Sequence, residues 1–170
     1  MRKPSVPRRV SQFIISLGVC LLAGFIGSLY AIPMIPSWFA SLQKPAFTPP
    51  LFSIVPIGAF IYVVLGLVLY LIWQADLKKK DTKICFYLFV IGLVLNVLWI
   101  YVFFGIRSPF IAFSIIILLV AVIVSTIYLC FRVSVLACVL LVPYLIIAII
   151  AALINFQIFV MNPNLPLLVI

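Results

Sequence analysis

The sequence predicts an all-α membrane protein, a bundle of five transmembrane helices, and three observations carry that prediction. Hydrophobic residues fill 68% of the 170 positions and charged residues 8%, a balance that no water-soluble fold could bury. A spanning helix needs about 20 apolar residues, and runs of that length occur at about residues 11–32, 51–74, 84–104, 110–131 and 133–160. Each run is apolar all round, without the alternation of a membrane barrel strand. The expected organisation is a basic N-terminal tail over residues 1–10, a five-helix membrane domain over 11–160 and an uncharged C-terminal tail over 161–170.

The net charge of +9 would suit nucleic acid, but its placement argues against that partner. Arg2, Lys3, Arg8 and Arg9 precede the first run, Lys78, Lys79, Lys80 and Lys83 separate the second from the third, and Arg132 separates the fourth from the fifth. With five spans these positions share one face, and only Lys44 and Arg107 fall on the other. The bias is the one expected when cytoplasmic loops retain Lys and Arg, so the N-terminus is expected in the cytoplasm, the C-terminus outside, and the plasma membrane as the host. Contact of the basic clusters with anionic membrane lipid is a second use of the same charges. The run after Arg8-Arg9 is longer than a signal-peptide core, and it is read as the first span.

Span one carries Cys20, Gly24 and Ser28, and also Ala23, Gly27 and Ala31, each set four residues apart and therefore on one side of a helix, where backbones can approach closely. Residues 37–50 cannot continue that helix. Pro45, Pro49 and Pro50 lack amide donors, and the residue before each proline is pushed toward extended geometry, so a rigid connector is expected over Lys44-Pro45 and Thr48-Pro49-Pro50, with Pro50 opening span two. Span two holds Pro56, Gly58, Tyr62 and Gly66, and Trp73 and Gln74 close it at headgroup level. Residues 75–83 read as a solvated loop.

Span three contains Asn96 and Trp99, then Phe103-Phe104-Gly105. An amide in hydrocarbon is costly, so Asn96 is expected to face the bundle. Span four offers Ser114, Ser125 and Thr126, whose hydroxyls can bond their own backbone. Span five runs from Pro143-Tyr144 through Ala151 to Asn155, the second membrane amide. Both asparagines can serve as interhelical hydrogen bonds or as polar groups in an apolar ligand cavity.

The four cysteines, Cys20, Cys85, Cys130 and Cys138, show no metal-ligand spacing, and the chain has no histidine and two acids. No metal site, cofactor or catalytic residue is expected from these counts, and the cysteines read as small apolar residues.

These segments carry a resemblance. W-F-x-x-L-x-K-P-x-F-x-P-P from Trp38 to Pro50, with Pro56, Tyr62 and Gly66 behind it, resembles the signature of the TspO/MBR family of tryptophan-rich sensory and translocator proteins, also called peripheral-type benzodiazepine receptors. Gly24 to Ser28 is similar to that family's G-x-x-G-S, Leu95 to Gly105 to its L-N-x-x-W-x-x-x-F-F-G, and Pro143-Tyr144-Leu145 with Ala151 and Asn155 to its last span. The resemblance covers about residues 24–157 and implies five helices, frequent dimers, and a pocket closed by the proline connector that takes porphyrins or other tetrapyrroles, sterol-like lipids and synthetic ligands. The ligand-binding residues it implies are Trp38, Phe47, Pro49, Pro50, Gly58, Tyr62, Asn96, Trp99, Ile147, Ala151 and Asn155. Gly58 and Ile147 stand where the family usually has tryptophans tied to porphyrin chemistry, Gly92 where glutamine is common, Ile111 where tryptophan is, and Ile115 where an acid often lies. No Lys or Arg follows Arg132 to complete the family's sterol-recognition pattern.

The function this implies is a membrane receptor or carrier for a large apolar ligand, tetrapyrrole or sterol-like lipid, with a sensory or transport role. A light-dependent porphyrin-degrading enzyme and a partner-binding subunit without a ligand are the alternatives, and the missing indoles weigh against the enzyme.

Overall fold

Prolines and hydropathy set the element boundaries seen in the computed structural model, which describes residues 6–75 and 77–165. Five helices are long and apolar enough to cross a membrane. Helix α1 spans Val6–Met34, α2 Leu51–Gln74, α3 Lys80–Ile100, α4 Pro109–Val133 and α5 Val135–Met161. No strand occurs among the described residues. The fold is the all-α membrane bundle that composition predicts.

Two helices end in a widened π turn, Ile35–Phe39 after α1 and Tyr101–Gly105 after α3. Pro33 and Pro36 supply no amide proton at the first of these, so the α-helical pattern cannot close there. The Ser37 hydroxyl donates to the Pro33 carbonyl at 2.7 Å. At the second, the Ile106 amide reaches back to the Tyr101 carbonyl at 3.0 Å. Arg107 then turns the chain with φ 59°, a left-handed conformation costly for a residue with a Cβ.

The observed boundaries differ from the expected ones in three places. Helix α1 starts at Val6, inside the segment read as a tail, and its π turn carries the first membrane helix to Phe39. Residues 80–83 form the first turn of α3 instead of a loop, with Thr82 buried and Asp81 paired to Arg132 at 3.7 Å on the exposed surface. Pro50 stands one residue before α2 and does not open it. Arg2 and Lys3, and the end of the expected C-terminal tail at 166–170, lie outside the described residues.

The helices pack as neighbours in pairs, α1 on α2, α3 on α4 and α4 on α5, and contacts of α2 with α5 and of α1 with α3 complete the bundle. Near the basic loop the core is tight. Ile72, Cys85, Cys130, Cys138 and Leu141 are buried there, and all four cysteines are free thiols that fill small spaces. Cys85 and Cys130 share a thiol hydrogen bond at 3.0 Å. Gln74 donates to Gln12 at 2.7 Å and ties α2 to α1 at this end. The span-four hydroxyls return to their own helix as expected, Ser125 to the Ala121 carbonyl at 2.9 Å and Thr126 to the Val122 carbonyl at 2.7 Å.

Candidate ligand-binding site

At the connector end the helices leave space between them. They surround a cavity of about 480 Å³, walled by α1, α2, α3 and α5 with Ile116 and Leu119 of α4, and reached by Thr48 and Pro49 of the connector. That volume lies within the usual range of small-molecule sites, roughly 300–1,000 Å³. The lining is hydrocarbon apart from a few polar side chains, chiefly Tyr62, Asn96, Trp99, Tyr144 and Asn155.

Two hydrogen-bonded groups hold the polar part of the wall. The Tyr62 hydroxyl donates to Asn96 Oδ1, and Asn96 Nδ2 donates to the Tyr144 hydroxyl at 3.1 Å, so α2, α3 and α5 are joined through one amide. Trp99 Nε1 donates to Asn155 Oδ1 at 3.0 Å, and Asn155 Nδ2 donates to the Pro109 carbonyl at 2.7 Å. Both membrane amides therefore make interhelical bonds and border the cavity at once, so the two readings of these asparagines do not compete. In hydrocarbon such bonds are each worth about 0.6 kcal/mol on average, and here they also fix the wall's side-chain positions.

Glycines act in two opposite ways. A Cβ on Gly24 would lie 2.5 Å from the Tyr62 ring, and one on Gly27 would lie 2.9 Å from the Ile100 side chain. These positions let α1 seat against the ring of α2 and against α3. A Cβ on Gly58 would meet nothing within 4 Å. Gly58 thus leaves space open on the cavity wall and is not needed for close helix approach.

Of the residues the sequence assigns to the site, Pro49, Gly58, Tyr62, Asn96, Trp99, Ile147, Ala151 and Asn155 line the cavity. Trp38, Phe47 and Pro50 do not. Trp38 is half-buried and packs edge-on against Phe103, with ring centroids 5.5 Å apart, so it stands behind the wall rather than in it. Within the first π turn Ile35 and Phe39 are buried and line the cavity, while Trp38 packs on Phe103 and Phe104 of the second. Phe47 is 54% exposed at the tip of the connector, and Pro50 is exposed beside it.

Several residues of this region are not among those the sequence assigns to the site. Phe39, Phe103 and Phe104 line the cavity and form one aromatic cluster with Trp38 and Trp99. Their signal was present in the W-F and F-F-G motifs, though not which ring would face inward. Tyr144 was visible within P-Y-L. Asn162 gave no such signal. Its Oδ1 accepts from the Gln43 amide at 3.0 Å and its Nδ2 donates to the Gln43 carbonyl at 2.9 Å, which straps the connector to the end of α5. Among the departures from the family pattern, Ile111 and Ile115 pack into the apolar cluster behind the cavity, and a Cβ on Gly92 would meet the Val122 side chain at ordinary contact distance, 3.5 Å.

Lys44 has a local task. Its ammonium donates to the carbonyls of Phe39, Ala40 and Leu42 at 2.7, 3.0 and 2.7 Å and lies 5.2 Å from the Phe39 ring. A cation at a helix C-terminus satisfies free carbonyls and opposes the negative end of the helix dipole. Partial burial draws its pKa below the ordinary lysine value by desolvation.

The comparisons agree with this architecture. The TspO/MBR family model matches residues 16–161. The tryptophan-rich protein TspO of Chlorobaculum tepidum is 34% identical over 157 residues, covering 92% of this chain and 99% of its own length. The protein of the same description from Archaeoglobus fulgidus is 33% identical over 158 residues, with 90% and 98% covered. The human translocator protein is 32% identical over 147 residues, with 85% and 83% covered. With five membrane helices, the proline connector and these matches over nearly the whole chain, the protein belongs to the TspO/MBR family.

Proposed function

We propose that this protein is a membrane receptor or carrier that holds a large apolar ligand, a tetrapyrrole or a sterol-like lipid, in the cavity beneath the proline connector. The observation that carries the reading is the cavity itself, about 480 Å³ of space walled by fixed aromatic rings and hydrogen-bonded amides. The protein would sense the ligand or carry it across the membrane, with the connector as the cavity's cover, and the host would be the plasma membrane with the N-terminus cytoplasmic. Trp99 borders the cavity, so titrating the purified protein with protoporphyrin IX or a sterol should quench or shift its emission saturably. No saturable change with either class would overturn the reading.

The light-driven alternative has little to stand on at this cavity, because Gly58 and Ile147 border it where other family members carry indoles. The porphyrin absorption band should survive illumination of the complex. Orientation is tested by labelling in a cysteine-free background. Asn164→Cys should react with an impermeant thiol reagent on intact cells and Lys79→Cys should not, since both positions are exposed. The reverse pattern would invert the assigned topology.

A further inference from the structure

The hydrogen bonds of the Tyr62, Asn96 and Tyr144 chain leave one phenolic proton unused. Tyr62 donates to Asn96 Oδ1, while Tyr144 accepts from Asn96 Nδ2, which leaves the Tyr144 proton without an acceptor in the chain. If the amide is turned over, Tyr144 donates to it and the Tyr62 proton is the one left. Both rings are buried, and both line the cavity. A buried donor without an acceptor is costly, so the cavity gains from a molecule that brings one.

The charge of that molecule follows from what is missing on the wall. Among the described residues no Lys, Arg, Asp or Glu lines the cavity, and the connector's lysine, Lys44, is engaged with three backbone carbonyls. A carboxylate drawn inside would lose its water without gaining a cation. The route is visible on the outer surface. Leu21, Phe25 and Ile32 of α1, Val55 of α2 and Ile150 of α5 both line the cavity and are exposed on the bundle exterior, which in a membrane helix is the lipid side. In a bilayer that side of the cavity would open toward hydrocarbon.

We infer that the cavity selects an uncharged, largely hydrocarbon molecule bearing one hydrogen-bond acceptor, drawn sideways from the bilayer, and that the free phenolic proton of the Tyr62–Asn96–Tyr144 chain recognises the acceptor. The inference rests on the reading of the cavity as a ligand site. It divides the two candidate classes by charge: a porphyrin enters with its acid groups masked, or leaves them outside.

Three porphyrins with one ring system test it: etioporphyrin, with alkyl groups only, protoporphyrin IX dimethyl ester, with neutral acceptors, and protoporphyrin IX, with two carboxylates. Each is titrated against the full-length protein in phosphatidylcholine vesicles by tryptophan emission, with affinity referred to the concentration measured within the bilayer. The ester should bind at least tenfold more tightly than the diacid. Tyr144→Phe should weaken the ester at least fivefold more than it weakens etioporphyrin, and Tyr62→Phe should do the same, because removing either phenol removes the surplus proton. A diacid that binds as tightly as the ester overturns the charge selection. Equal losses for ester and etioporphyrin in both variants overturn the recognition role and leave the tyrosines purely structural. Binding by none of the three, with a sterol also silent, overturns the cavity reading itself.

Discussion

The two ends of this bundle are made from equally apolar helices, yet one end is packed and the other encloses a cavity. At the basic-loop end the core is built of side chains that can slide into contact: Ile72, Cys85, Cys130, Ala137 and Cys138, at most 1% exposed. Small thiols and branched chains adjust until little space remains, as interior packing demands. At the connector end the corresponding positions hold Phe39, Phe103, Phe104, Trp99, Tyr62 and Tyr144, and the backbone carries a π turn on each of α1 and α3. Rings held edge to face, such as Phe103 and Phe104 at 4.9 Å, and amides bonded to two helices have few positions open to them. The difference teaches that hydrophobicity alone brings helices together, while a cavity persists where the lining is too constrained to close it.

Changing two glycines of the cavity lining, one filled by a neighbour and one facing open space, should break the comparison most strongly. Gly24→Leu places a side chain where the Tyr62 ring already lies, and overpacking of this kind costs about 1–3 kcal/mol. A large fall in melting temperature in detergent is expected, with loss of ligand binding. Gly58→Leu is the same chemical change made into open space. Its melting temperature should stay close to that of the parent, while the smaller cavity weakens porphyrin binding. Equal melting losses in the two variants would show that the space at Gly58 is needed for folding after all.

The strap across the top comes next in size. Asn162→Ala removes both bonds to Gln43, and at about 0.5–1.5 kcal/mol for a typical hydrogen bond the connector should loosen without unfolding the bundle. Hydrogen exchange at residues 42–48 should rise while exchange at the packed end stays unchanged. A uniform rise would mean that the two ends are not independent.

Replacing Pro49 and Pro50 together with alanine should have a smaller effect, about 0.4–1 kcal/mol at each position, through the freedom it returns to the unbound chain. Ligand affinity should fall more than the melting temperature, because Pro49 borders the cavity. Equal effects would assign the prolines to folding alone. The smallest expected change is a gain. Arg107→Gly relieves a left-handed residue and should raise stability by up to ~1 kcal/mol, with ligand affinity unchanged because Arg107 does not line the cavity. A loss of stability would show that its side chain contributes more than its backbone costs.

Hydropathy determined much of this protein without any structure. The transfer cost of each residue is local, so five long apolar runs could only be membrane helices, and prolines 45, 49 and 50 could only interrupt them. Asn96 and Asn155 had to face inward for the same reason. What the runs could not show was rotation and partnership. Gly24 and Gly58 are the same residue in equally apolar surroundings, yet one is filled by the Tyr62 ring and the other is open. Trp38 carries the most prominent motif of the chain, yet it sits in a π turn and packs on Phe103 and Phe104 behind the wall. Asn162 and Gln43 are 119 positions apart. Which faces meet depends on the packing of all five helices together, a non-local property, and the position, rigidity and polarity of the cavity were decided only there.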